Sequence, residues 1–131
     1  MLKISEKELL HISNVKLRER YDYFIKRICD QQEVCVLREI NGLLLGNEVS
    51  NGSYVHLWSA KEFGEKYKEL IKSTESVDVI DFHYLGSEFI SFVKLKNASI
   101  SIMPIKETVG YEVSTEQLIS DIQKYNDEWF S

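Results

Sequence analysis

Apolar positions fall along this chain in two rhythms, and the places where one gives way to the other divide it into elements. Leu17, Tyr21, Phe24, Ile25 and Ile28 recur at the three-to-four spacing of a helix face, which predicts a helix from about Asn14 to Asp30. Its other face carries Lys16, Arg18, Glu19, Asp22, Lys26 and Arg27, mixed in sign as a solvated face is. Phe63, Tyr67, Leu70 and Ile71 repeat the spacing in a helix from Ser59 to about Lys72, and a last helix runs from Ser114 to about Glu128. Residues 34–58 change to strand-like runs, parted by Asn41-Gly42 and Asn51-Gly52. Asn-Gly supplies the two positive-φ positions of a tight hairpin turn, so this stretch predicts a three-stranded meander. Two-residue loops then set the register, with Val36 beside Asn47, Asn47 beside His56, Arg38 beside Leu45 and Leu45 beside Trp58. Residues 77–81, 99–104 and 110–113 predict further short strands. Residues 82–96 fit either period: Phe82, Leu85, Phe89, Phe92 and Val93 suit a helix, while Gly86 and the β-branched and aromatic content suit a strand.

Helix starts are marked three times by one grammar, in "ISEKEL" (4–9), "WSAKEF" (58–63) and "VSTEQL" (113–118). A serine hydroxyl accepts from the backbone N–H three residues on, a Glu or Gln reaches back, and an apolar pair closes over the turn. The boxes are Ser5/Glu8 with Ile4/Leu9, Ser59/Glu62 with Trp58/Phe63, and Ser114/Gln117 with Val113/Leu118. On this reading Trp58 is first a staple that aims a helix off a strand end. The elements together predict an α+β fold, a mainly antiparallel sheet packed with four to five helices in a single domain over residues 1–131.

Composition narrows the function classes. Apolar residues are 44% and charged residues 28% of the chain, as in an ordinary globular protein. No apolar run is long enough to span a bilayer, the opening "MLKISEKELL" is too charged for a secretory signal, and a cytoplasmic protein is expected. Cys29 and Cys35 form no CxxC pair and read as free thiols in a reducing compartment. Net charge is −5 and unevenly placed: residues 1–72 carry 12 Lys/Arg against 11 Asp/Glu, whereas residues 73–131 carry 4 against 10. That distribution disfavours a nucleic-acid footprint and suits a basic protein partner.

Candidate chemistry is sparse. There is no GxSxG, P-loop, GxGxxG or HExxH, and His11, His56 and His83 are isolated in sequence. Spacing gives no support to a zinc site built from Cys29, Cys35, His56 and His83, and no cofactor is implied. The partner-binding candidates are Glu75, Asp78 and Asp81, recurring every third residue, with Asp121, Asp127, Glu128 and Trp129 on the last helix. A possible small-molecule pocket is Arg38, His56 and Trp58 on the meander.

The stretch "RYDYFIKRICDQQEV" (20–34), the Gly-containing run ending in "VHLWS", the helix after it and "VSTEQLISDI" (113–122) resemble a family of small bacterial proteins catalogued as domain of unknown function "twenty-seven fifty". The resemblance covers about residues 14–128, implies an α+β fold and a bacterial cytoplasmic origin, and carries over no catalytic residue. Two functions are expected from these observations: a non-catalytic immunity protein that neutralises a basic toxin, a nuclease first among them, or a small-molecule or regulatory module. An enzyme of unknown class ranks below both.

Overall fold

The computed structural model describes residues 3–38, 47–49, 52–72 and 75–130. Helix α1 (Glu6–Ser13) and helix α2 (Leu17–Gln31) lead into strand β1 (Glu33–Arg38). Strands β2 (Asn47–Val49) and β3 (Gly52–Leu57), helix α3 (Lys61–Ile71) and strand β4 (Ser76–Asp81) follow. The helical stretch after β4 comprises α4 (Phe82–Tyr84), a π segment (Leu85–Phe89) and α5 (Ile90–Leu95). Strands β5 (Ser99–Ile102) and β6 (Tyr111–Val113) and helix α6 (Thr115–Phe130) complete the order.

Both helices and strands are present, as the α+β reading requires, but the three-stranded meander does not form. β1 pairs antiparallel with β4, setting Cys35 opposite Val79 and Val36 opposite Asp78. The second sheet has the order β2-β3-β5-β6, and its β3–β5 ladder is parallel. A turn signal says which runs are near in sequence, but it does not choose the neighbours of a strand buried on both faces. Val34, Cys35, Val36 and Leu37 are all buried, and β4 brings Val77 and Ile80 to cover them. β1 meets β3 only at its end, where Cys35 and Trp58 exchange both backbone hydrogen bonds at 2.8 and 3.0 Å. The β2–β3 hairpin does form, but Asn47 stands opposite Tyr54 rather than His56. That slip is two residues along the partner strand. Leu45, Asn41-Gly42 and Asn51 lie outside the described residues.

The ambiguous stretch 82–96 is helical. Leu85, Phe89 and Val93 are buried at spacings of four and enter the core, and a single π turn accommodates the extra residue. Gly86 has open space where a Cβ would stand, so it marks no close approach. Asp81 caps this stretch, its carboxylate accepting from the Tyr84 N–H at 2.8 Å.

Two of the three helix-start signals act as caps. Ser5 Oγ accepts from Glu8 N–H at 3.1 Å, and Ser114 Oγ from Gln117 N–H at 3.0 Å. Their return arms are engaged elsewhere: Glu8 accepts from the Tyr23 hydroxyl, and Gln117 donates to Asp121. The Ser59 box does not form. α3 starts one residue later, with Ala60 as its N-cap, while Ser59 is buried against the Met103 sulfur and Glu62 accepts from the Ile4 N–H. Gly64 lets α3 lie directly on β4, since a Cβ there would stand 2.9 Å from Val77 Cγ1 and 3.3 Å from the Trp58 ring.

Candidate functional site

The polar centre of the molecule is the segment from Met103 to Gly110, which joins β5 to β6 and is clasped by buried side chains from several elements. Arg20, in α2, is 1% exposed. Its Nη1 donates to Met103 O at 2.9 Å and to Glu107 Oε1 at 2.8 Å. Its Nη2 donates to Glu107 Oε2 and to the carbonyls of Ser13 and Val15 at 3.1–3.2 Å. The guanidinium thus ties the α1–α2 turn to the far loop through a two-pronged ion pair. Burial works to raise the Glu107 carboxyl, but the Arg20 bond and the N–H groups of Ile105 and Lys106 outweigh it and hold it below the usual range.

β3 and α3 hold the same segment from the other side. Trp58 is fully buried, and its indole N–H donates to Pro104 O at 2.7 Å. The Tyr67 hydroxyl lies 3.0 Å from His56 Nε2 and donates to Thr108 O at 3.3 Å. His56 Nδ1 has no partner among the described residues. The rings of His56, Trp58 and Tyr67 pack within 4.9–6.0 Å of one another. Burial pushes the His56 imidazole down to about 4, so it is neutral near pH 7. Gly110 is required by space alone, because a Cβ would stand 2.1 Å from Ile102 O.

The expected Arg38–His56–Trp58 pocket is not assembled. It rested on the meander register, and β1 has other neighbours. His56 and Trp58 are core residues of the clasp, while Arg38 sits at the end of β1, 3.6 Å from Asp78 and over the Tyr84 ring. The acidic candidates separate into two groups. Asp78 and Asp81 lie on β4, with Glu75 just before it. Asp121 and Asp127 lie on α6, which packs against α2. Asp121 accepts from the Tyr21 hydroxyl at 2.5 Å and from Gln117, so it is a structural acceptor, whereas Asp127 is exposed. Glu128 and Trp129 belong to α6, and their side chains lie outside the described residues.

Buried reactive groups are held in their neutral forms. Burial pushes the Cys29 thiol up to about 11 and the Cys35 thiol up to about 12. Among the described residues no three His, Cys, Asp or Glu side chains gather as a metal would require, and no helix is long and apolar enough to cross a membrane. Two open grooves flank α1 and α3. One, of about 710 Å³, is lined by Leu9, Lys61, Glu65, Lys66 and Val79. The other, of about 730 Å³, runs past Leu10, Leu70 and Ile105.

Sequence reasoning missed Arg20 and Glu107. Arg20 had a readable signal, since it stands three residues after Leu17 and four before Phe24, on the apolar stripe of α2. Glu107 had none. No curated protein matches the chain. A family model does match residues 21–122, from α2 through the first half of α6, and the chain belongs to the family described as protein of unknown function DUF2750.

Proposed function

We propose that this chain is a non-catalytic protein-binding domain, and in its sharper form an immunity protein that neutralises a basic toxin by covering a cationic cleft. The observation that carries the reading is the division of labour among its polar side chains. His56, Arg20, Cys29 and Cys35 are enclosed, whereas Asp81 and Asp127 stand in solvent and Asp78 keeps about half of its side chain exposed. Exposed carboxylates speed encounter with a cationic surface and reject acidic ones. A nuclease fits best as the target, because a cleft built for phosphates is basic.

The test is a pull-down with tagged protein from the native host, washed at low and at high salt. A single basic protein that leaves at high salt supports the proposal, and its association should weaken on Asp78→Lys, Asp81→Lys or Asp127→Lys. Association with an identified toxin that ignores all three reversals overturns the acidic surface. A second reading, a small-molecule module, draws on the grooves beside α1 and α3, whose volumes suit a metabolite. A metabolite screen by thermal shift tests it, since a ligand selective for the folded state raises apparent stability.

A further inference from the structure

Among the described residues β4 has an unpaired edge, whose orientation is fixed by the strand on its other side. Cys35 points both its N–H and its C=O at Trp58, away from β4. In an antiparallel ladder such residues alternate, so Val34, Val36 and Arg38 bond to β4 through their partners Ile80, Asp78 and Ser76. The intervening residues of β4, namely Val77, Val79 and Asp81, therefore turn their backbone groups outward; Val77 is buried and Asp81 caps the next helix, so the accessible edge is centred on Val79. Among the described residues β4 pairs with no strand but β1.

Side chains along this edge specify what would fit. Val77 faces α3 across Gly64, so Val79 and Asp81 share that face, and Val79 borders the open groove of about 710 Å³ beside α3. Asp78 lies on the opposite face, half exposed at the side chain. A second copy of β4 would bring a second Asp78 and Asp81 to the same edge, which like charge opposes.

We infer that β4 binds an extended basic segment of the partner as an added strand, with Lys or Arg opposite Asp78 and Asp81 and an apolar side chain at the groove beside Val79. This rests on the protein-binding reading above and gives it a mode of recognition. Backbone hydrogen bonds would supply attachment, and the two faces would supply selectivity.

The probe is a synthetic nine-residue peptide centred on Lys-Val-Val-Lys, which sets Lys opposite Asp78 and Asp81 and Val opposite Val79, compared with the same peptide N-methylated at alternate residues, in both phases. Methylation leaves the charge and side chains intact but deletes backbone donors. Binding by the parent peptide, weakened at least about tenfold by one methylation phase and little by the other, is the expected result. Val79→Pro should weaken binding similarly, because it removes an outward N–H while sparing the β1 ladder, and circular dichroism checks that it folds. Equal binding of all three peptides would overturn strand addition while leaving a purely electrostatic acidic surface intact. No binding by the parent peptide would also overturn strand addition, and the toxin pull-down would still judge the protein-binding reading separately.

Discussion

Arg20 and His56 show how much of this molecule's stability is polar and buried. Replacing Arg20 with Met strips three backbone carbonyls and Glu107 of their donor, and the loss of one partner from a buried pair costs about 3–5 kcal/mol. Urea denaturation of Arg20→Met should show a fall of that order, and a change under about 1 kcal/mol would remove the clasp from the account. His56 is neutral in the folded chain down to about pH 4, whereas in the unfolded chain it takes up a proton near 6.5. The unfolded state then binds more protons between those values, so stability present above about pH 6.5 falls as pH drops towards 4, by about 3 kcal/mol in all. His56→Phe should flatten the stability–pH curve in that window. Glu107 acts at lower pH with the same sign, since its depressed carboxyl stabilises the fold above the unfolded value and stops doing so when acid protonates it. Cys29 and Cys35 should stay unmodified by a thiol reagent at pH 8 in native protein and react on unfolding; reaction of either at the rate of a free thiol would contradict their enclosure.

Elements were legible from sequence where a local rule decides them and illegible where a distant strand does. α2 follows from its apolar stripe, and the starts of α1 and α6 follow from Ser5 and Ser114, because a cap is made within four residues. The Ser59 box has the same spelling, yet Trp58 and Ser59 are drawn into the core by Pro104 and Met103, and α3 begins at Ala60's cap instead. The meander failed for a related reason. Asn-Gly chemistry cannot see that β4, some forty residues on, is the strand that pairs with β1 along its length. Once the meander was assumed, a pocket from Arg38, His56 and Trp58 followed from its register, and it fell with it. Gly64 marks the contact that orders these elements. Gly64→Ala would push α3 off Val77 and the Trp58 ring, and about 1–3 kcal/mol of destabilisation is expected by thermal or urea unfolding. Gly86→Ala, with open space around it in a helical stretch, should be neutral or slightly stabilising.

Taken as one body, the chain does not divide where its charge does. The nearly neutral first part and the acidic remainder share one core, because β4 pairs with β1, β5 with β3, and α6 packs on α2. The acidity concentrated after residue 72 is thus spread over β4 and α6, with Glu88, Glu107 and Glu112 between them, and among the described residues both β4 and β6 place acids on edge strands. This organisation gives the clasp a consequence for synthesis. A ribosome makes Arg20 long before it makes Glu107, so the nascent α2 carries a cation that has the Ser13 and Val15 carbonyls but not yet the Met103 carbonyl or its carboxylate partner. The parallel partner of β3 is also still to be translated. Closing the interior is therefore expected to wait for the Met103–Gly110 segment to leave the exit tunnel. Translation stalled just before that segment should yield a protease-sensitive chain, and stalling after β6 has emerged should yield a largely resistant one.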